Sequence, residues 1–144
     1  MTIIFSKKCE YGIQAVLYLS TLGKGKMVSA VEISEKLKIP KEFVSKILQS
    51  LRSSKIVNSK KGNSGGFFLA KDPKKVKLVD IVKAIDGLEM FNHCILGFPN
   101  CSDKHPCPVH NKWGVLRKKA YEMLIKETLY SFKRVVINKM ATIK

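Results

Sequence analysis

The sequence predicts a mainly α-helical protein with one small β-hairpin. Two observations carry this prediction. Apolar residues recur at intervals of three and four along most of the 144 residues, which is the spacing of one helix face. One glycine-rich segment, GNSGG at residues 62–66, is flanked by short runs that favour strands, and it predicts a turn between them.

Length and composition bound the class of protein. A chain of 144 residues with 45% hydrophobic and 26% charged residues can bury a core, and it fits one small domain with a helical extension. No apolar run approaches the roughly 20 residues that span a bilayer, and the N-terminus does not resemble a signal peptide. We therefore expect a cytoplasmic protein, in which cysteines stay reduced.

The first third of the chain predicts three helices. Ser6 is placed to cap the first, and Ser29 with Glu32 has the spacing of a capping box at the second. Pro40 ends the second helix, so a third begins after a very short turn. The apolar stripe of the third helix consists of Phe43, Val44, Ile47, Leu48 and Leu51. Two short helices with a tight turn predict a helix-turn-helix.

A basic hairpin follows the third helix, and a hairpin in this position is a wing. The formal charge is +16, and residues 36–77 alone hold twelve Lys or Arg against two acids, so the excess is local. This charge favours nucleic-acid binding, although winged helices also bind proteins and lysines can simply be solvated. The candidate DNA-binding residues on the third helix and the wing are Lys41, Ser45, Lys46, Gln49, Lys60, Lys61, Gly65 and Gly66.

The C-terminal part predicts a long helix, from about Asn111 to Asn138. Its apolar stripe consists of Tyr121, Ile125, Leu129, Phe132 and Val136. Such a stripe must pack along its own domain or against a second chain. The full prediction is a winged helix-turn-helix domain over residues 1–87, a cysteine-rich loop over 88–112 and a C-terminal dimerisation helix over 113–144.

The segment HCILGFPNCSDKHPCPVH, residues 93–110, holds three of the four cysteines and all three histidines. Cys94, Cys101, Cys107 and His110 form the pattern Cys-x6-Cys-x5-Cys-x2-His. Wide spacing suits a loop that wraps an iron–sulfur cluster, whereas zinc sites usually have tighter pairs. A zinc loop, a redox thiol pair and incidental cysteines remain alternatives.

The other candidate side chains have simpler interpretations. Cys9 lies in an apolar helix and is expected to be a small buried residue rather than a ligand. His93 and His105 are expected to be solvated, and Trp113 is expected to be a core anchor for the start of the last helix. No segment resembles a hydrolase triad, a phosphate loop or a paired-carboxylate site, so we do not expect an enzyme.

Three segments together resemble one family, the Rrf-two type of bacterial winged-helix transcriptional regulators, which includes IscR, NsrR and RirA. These segments are SKKCEYGIQAVLYLS at residues 6–20, KGNSGGFFLAKDP at 61–73 and the spaced cysteines ending in Cys107-Pro-Val-His110. The resemblance covers nearly the whole chain. It implies a homodimer crossed by the C-terminal helix, an inverted-repeat DNA operator and, in some members, an iron–sulfur cluster in the loop.

The resemblance also implies roles for individual residues. Cys94, Cys101 and Cys107 match the three cluster thiolates, and His110 matches the histidine that completes the shell in some members. Glu10 matches a position where other members place an acidic ligand from the partner's first helix. We therefore expect a transcriptional regulator, such as a repressor, that senses iron, redox or nitric oxide status through its cluster. A 2Fe–2S cluster is favoured over 4Fe–4S, and the alternative is a thiol-redox or zinc-stabilised regulator without a cluster.

Overall fold

A computed structural model describes residues 4–23 and 25–141. Within these ranges it has six α-helices and a two-stranded antiparallel sheet, in agreement with the predicted class. The helices are α1 (Lys7–Thr21), α2 (Ala30–Leu37), α3 (Lys41–Ser53), α4 (Leu78–Ile85), α5 (His110–Lys126) and α6 (Leu129–Ala141), and the strands are β1 (Val57–Lys60) and β2 (Gly66–Leu69). Short 3-10 helices cover Pro73–Lys75 and Glu89–Asn92. None of the described helices is long and apolar enough to span a membrane.

The starts of the first two helices follow from their capping residues. The Ser6 hydroxyl accepts a hydrogen bond from the Cys9 N–H at 3.0 Å, and the Ser29 hydroxyl accepts one from the Glu32 N–H at 3.1 Å. Both bonds satisfy N–H groups that have no partner within the helix. The predictions of a helix start at Ser6 and at Ser29 are therefore confirmed.

The turn between α2 and α3 is only three residues long. Lys38 adopts a left-handed conformation with φ of 56°, which ends α2, and the Ile39 N–H donates to the Ser34 carbonyl at 3.1 Å. Pro40 then occupies the N-cap position of α3. The tight connection makes α2 and α3 pack against each other as the predicted helix-turn-helix.

The inner face of α3 is buried as predicted, with one exception. Val44, Ile47, Leu48 and Leu51 are almost completely buried, and each contributes about 1.5–3 kcal/mol by this burial. Phe43 was predicted to belong to the same stripe, but it is 39% exposed. Phe43 lies on the first turn of α3, at the border of the core. Its ring packs against the Tyr11 ring in an edge-to-face arrangement, with the two ring centroids 5.5 Å apart.

The predicted wing is confirmed, and a third segment supports it. Strand β1 pairs with β2 in the register that places Lys60 opposite Gly66. Val28 pairs with Phe67 through two backbone hydrogen bonds of 2.7 and 3.1 Å, so the residue before the α2 cap extends the sheet. This bridge ties the wing to the helix-turn-helix.

The C-terminal segment forms two helices, so the prediction of one continuous helix is wrong. The chain leaves the helical path at Glu127 and Thr128, where Thr128 forms a β-bridge with Lys77. The Thr128 hydroxyl accepts from the Ser131 N–H, and the Ser131 hydroxyl accepts from the Thr128 N–H, both at 3.1 Å. These reciprocal bonds form a capping box that starts α6 as a separate helix.

The break at Thr128 redistributes the predicted C-terminal stripe. Leu129 is 0% exposed in the main core, and Phe132 packs against that core. Tyr121 is half-buried, with its ring at 5.2 Å from that of Phe91, while Ile125 is exposed. The side chain of Val136 lies outside the described residues. Most of the stripe is thus covered within its own chain.

Candidate metal centre and nucleic-acid interface

The cysteine-rich loop runs from the 3-10 helix at Glu89–Asn92 to the start of α5. Gly97 has a φ of +85°, and its N–H donates to the Cys94 carbonyl at 3.0 Å, which makes a tight turn after the first thiol. At the other end, the His110 N–H donates to the Cys107 carbonyl at 3.1 Å. These two turns fold the loop back so that its cysteines face one another.

The three cysteines of the loop converge on one point. Their sulfur atoms all lie within 4.8 Å of one another, and the Sγ atoms of Cys94 and Cys107 are 3.7 Å apart. All three are half-buried free thiols. Two thiolates on one tetrahedral ion with metal–sulfur bonds of about 2.3 Å lie about 3.8 Å apart. The thiol group therefore fits a metal.

His110 joins this group through Cys101. Its Nδ1 lies 3.1 Å from the Cys101 Sγ, and its Nε2 lies 2.9 Å from the Asp103 Oδ1. The His110 side chain is 19% exposed, so it lies mostly within the loop. The position of the ring follows from the turn at Cys107, which starts α5 at His110 itself. The structure thus places an imidazole beside the thiols, as the Cys-x2-His spacing predicts.

The surroundings of Cys94 and Cys101 shift the pKa values of their thiols in opposite directions. Partial burial raises the pKa of Cys94, but hydrogen bonds from the backbone of Phe98 and Leu96 and from the neighbouring thiols lower it to about 7, from an ordinary value of 9.0. A hydrogen bond from the Cys107 backbone lowers the pKa of Cys101, yet desolvation and the other thiols raise it above the ordinary value. Cys94 is therefore the first of these two to become a thiolate.

Two cavities adjoin the thiols. One of about 420 Å³ is lined by Phe98, Pro99, Asn100, Cys101, His105, Pro106, Cys107 and Pro108. The other, of about 340 Å³, is lined by Asn92, His93, Cys94, Gly97, Phe98, Pro99 and Cys101. Because the thiols line the walls of open space, a bulky inorganic group has room beside them.

Cys9 and Glu10 lie on α1, outside the set of three thiols. Cys9 is 0% exposed, and desolvation together with Asp86 raises the pKa of its thiol to about 12. The Glu10 carboxylate lies 3.8 Å from the Lys7 ammonium group. Within the described residues, neither side chain belongs to the group that could hold a metal. The two remaining histidines, His93 and His105, are exposed as predicted.

The sequence analysis missed one residue that shapes the loop, Asp103, and gave another, Trp113, a different role. Asp103 contacts the His110 ring, and the Trp113 indole N–H donates to the His93 carbonyl at 3.1 Å. Trp113 was expected to anchor the helix in the core, but it anchors the loop to α5. The Ser-Asp pair at 102–103, which often starts a turn, was the available signal for Asp103.

The candidate DNA-binding side chains of the helix-turn-helix and the wing are exposed. Those on α3, namely Lys41, Ser45, Lys46 and Gln49, are exposed on the side opposite its buried stripe. Lys60 and Lys61 are exposed where β1 enters the wing turn. All twelve basic residues of the segment 36–77 are exposed, so none of these positive charges is buried. This segment therefore exposes a strong excess of positive charge.

The two wing glycines have a structural reason to be glycine. A Cβ at Gly65 would collide with the Lys60 carbonyl oxygen. Gly66 has a φ of +151°, and a Cβ there would lie 2.7 Å from the Val28 carbonyl oxygen. Close approach of neighbouring backbone inside the wing therefore requires these glycines, whatever else they contact.

A basic winged helix-turn-helix defines the class of winged-helix transcriptional regulators. The particular family follows from comparison with known proteins. The family model Rrf2, described as an iron-dependent transcriptional regulator, matches residues 5–134. The chain belongs to the Rrf2 family, which confirms the resemblance noted from the sequence.

Individual relatives agree with this family. An HTH-type transcriptional regulator assigned in Aquifex aeolicus (strain VF5) is 36% identical over 117 residues, which cover 80% of this chain and 81% of the relative. One assigned in Mycobacterium tuberculosis is 33% identical over 82 residues, and these cover 57% of this chain and only 51% of that relative.

Solved structures share the fold. CymR, described as the global cysteine regulator of B. subtilis, aligns with a TM-score of 0.77 at 19% identity, covering 93% of this chain and 98% of that one. IscR of T. potens aligns with a TM-score of 0.72 at 24% identity, covering 100% of this chain and 93% of that one. At these identities the likeness establishes the fold alone.

Proposed function

We propose that this protein is an iron–sulfur cluster-containing, DNA-binding transcriptional regulator that senses iron, redox or nitric oxide status. The observation that carries the proposal is the convergence of three thiols within 4.8 Å, with an imidazole beside one of them, in a chain that also has a basic winged helix. Along the chain, the loop that would hold the cluster lies between the DNA-binding elements and α5. Its presence or state changes DNA binding by shifting the population of DNA-competent conformations.

The proposed ligands are Cys94, Cys101, Cys107 and His110, with Glu10 of a partner subunit as the alternative fourth ligand. The four local residues form two close pairs, Cys94 with Cys107 at 3.7 Å and Cys101 with His110 at 3.1 Å. We propose that these residues hold a 2Fe–2S cluster rather than a 4Fe–4S cluster, with two ligands on each of its two irons. When bound, the cluster supplies one-electron redox chemistry or lability to the sensor.

The proposed DNA contacts follow the exposed basic surface. Lys41, Ser45, Lys46 and Gln49 on α3 face base edges and phosphates of the major groove. The wing contributes phosphate contacts from Lys60 and Lys61, with the backbone at Gly65 and Gly66 close to the duplex. The exposure of all six side chains supports these roles.

We further propose a homodimer that binds an inverted repeat and is formed along α5. Large apolar side chains remain exposed there: Leu116 is 60% exposed and Met123 is 48% exposed. Since they are seven residues apart, they lie on the same face of α5. Val115 adds to this surface. We propose that a second copy covers this surface of α5, whereas Leu129 of the predicted stripe is buried within its own chain.

The proposal is tested by anaerobic purification followed by absorption spectroscopy and iron and sulfide analysis. A brown protein with about two irons and two sulfides per chain is expected. DNA binding is then compared between the cluster-containing and cluster-free protein on the same operator fragment. A colourless protein without iron, or identical DNA binding in the two states, would overturn the proposal.

The alternative is a regulator that uses its thiols without an iron–sulfur cluster. The distance of 3.7 Å between the sulfur atoms of Cys94 and Cys107 suits two thiolates on one zinc ion as well as two thiolates on one iron of a cluster. A small movement would also bring these sulfurs to the roughly 2.05 Å of a disulfide. Zinc analysis and mass spectrometry after peroxide treatment distinguish these outcomes from the cluster.

A further inference from the structure

The two ring nitrogens of His110 face two different partners. Nδ1 points to the Cys101 sulfur at 3.1 Å, and Nε2 points to the Asp103 carboxylate at 2.9 Å. The ring is therefore held from both sides, between a thiol of the candidate metal centre and an exposed acid.

The chemistry of the two partners decides which nitrogen carries the proton. A carboxylate only accepts hydrogen bonds, so Asp103 takes the N–H from Nε2. A neutral imidazole has one donor and one acceptor nitrogen. Nδ1 then keeps its lone pair, and this lone pair is directed at the thiol group. Metal ions bind imidazole through such a lone pair.

A small hydrogen-bonded turn places Asp103. The Ser102 N–H donates to the His105 carbonyl at 3.3 Å, and the His105 N–H donates to the Ser102 carbonyl at 3.1 Å and to its hydroxyl at 3.2 Å. Asp103 follows Ser102 directly, so closure of the turn fixes its backbone. Its side chain is 97% exposed, and its removal therefore leaves the core untouched.

We propose that Asp103 is a positioning residue of the metal centre: it fixes the tautomer and the orientation in which His110 presents Nδ1 to the metal. This inference rests on the proposed function, because it concerns His110 as a ligand. Partners that hold a metal-binding histidine in this way typically change metal affinity 10- to 100-fold when they are removed. Asp103 contacts no ligand other than His110 in the hydrogen bonds of the described loop.

The test uses the full chain with three substitutions. Asp103→Ala removes the acceptor, and Asp103→Asn keeps an acceptor oxygen at the same place. Glu122→Gln is the matched control, since it removes one negative charge from an exposed position on α5. Imidazole ¹⁵N NMR of the reduced, metal-free protein at one neutral pH reports the tautomer. The decay of the cluster absorption under a chelator reports the lifetime of the loaded protein.

The expected result is a single Nε2–H tautomer in the wild type, in Asp103→Asn and in the control, and averaged nitrogen signals in Asp103→Ala. The cluster lifetime should fall about tenfold or more in Asp103→Ala alone. Unchanged nitrogen signals in Asp103→Ala, an unchanged lifetime, or equal losses in Asp103→Asn would overturn the proposal. If the wild type takes up no iron and sulfide, the proposed function is wrong. The NMR comparison of the metal-free proteins still decides whether Asp103 fixes the tautomer of the His110 ring.

Discussion

The indole N–H of Trp113 donates a hydrogen bond of 3.1 Å to the main-chain carbonyl of His93, the residue directly before Cys94. Trp113 lies on the first turn of α5, so this bond joins the two ends of the cysteine-rich loop. It is also the single tryptophan of the chain. The side chain of Trp113 therefore helps to hold the loop closed, and it is the chain's single indole group.

Replacing Trp113 with Phe should weaken the loop without unfolding the protein. The lost hydrogen bond is worth about 0.5–1.5 kcal/mol, which is enough to raise local opening several-fold. The measurement is limited proteolysis of the metal-free protein, with cleavage expected to be faster between residues 93 and 110. Tyr130→Phe, on the exposed side of α6, is the control. Equal cleavage in the two variants would contradict the role of Trp113.

Thiol reactivity should follow the order set by the loop. Because the pKa of Cys94 is lowered to about 7, its thiolate forms as pH rises through 7, and its alkylation rate should level off above about pH 8. The pKa of Cys101 is raised, so its rate should still be increasing there. Peptide mass spectrometry of the metal-free protein after brief iodoacetamide treatment measures both rates. Faster alkylation of Cys101 at pH 7 would contradict this order.

Cys9 provides the internal reference for that experiment. Its thiol is 0% exposed and its pKa is raised to about 12, so neither access nor ionisation favours reaction. It should stay unmodified in the native protein over the same pH range and react at once in denaturant.

Dimer formation should depend on α5 rather than on Leu129. Leu116→Asp or Met123→Asp places a charge on an exposed apolar surface, and should yield folded monomers in analytical ultracentrifugation. Leu129→Ala is the contrasting variant: it opens a cavity in the core and should cost about 2–5 kcal/mol of the free energy of unfolding. Dimers that persist in both α5 variants would place the interface elsewhere.

DNA affinity should fall steeply with salt. If a dimer neutralises 6–10 phosphates, the logarithmic slope is about −5 to −9, and Lys60→Ala with Lys61→Ala should flatten it. Gln49→Ala on α3 should instead relax the preference at one base position. Fluorescence anisotropy at several salt concentrations measures the slope, with Lys83→Ala on α4 as the control. A slope that the control changes as much as the wing variant would rule out a local role for the wing.

The fourth ligand should be His110 rather than Glu10. His110 lies within the loop beside Cys101, whereas Glu10 would have to come from a partner's α1. His110→Ala should therefore remove or shift the as-isolated cluster absorption, and Glu10→Ala should leave it unchanged. If only Glu10→Ala perturbs the spectrum, the ligand comes from α1 and the cluster bridges two chains.

Much of the fold could be predicted because its signals are local. Ser6 and Ser29 cap helices by bonding residues three positions further along the chain. The glycine-rich segment 62–66 likewise indicates a turn by its own composition. The break at Thr128 could not be predicted in this way. Its neighbours are compatible with a helix, and the chain departs from the helical path where Thr128 pairs with Lys77, fifty-one residues earlier.

The candidate site divides along the same line. The spacing of Cys94, Cys101 and Cys107 predicts a thiol group, since a metal requires its ligands in one place. Asp103 in a polar loop has the appearance of a solvated acid, and only the fold shows which nitrogen it meets. The prediction that Phe43 is buried was wrong for a related reason. Periodicity predicts which face of a helix is buried, but it does not show at which residue the core ends.

Helix α5 is anchored at its C-terminal end by the bridge between Lys77 and Thr128. Its 17 residues span about 25 Å, with His110 at one end and, at the other, a joint hydrogen-bonded to Val76 and Leu78. Val76 follows the 3-10 helix at Pro73–Lys75, which leads back to the wing. Helix α5 therefore connects the thiol-bearing loop at one end with the segment that follows the wing at the other.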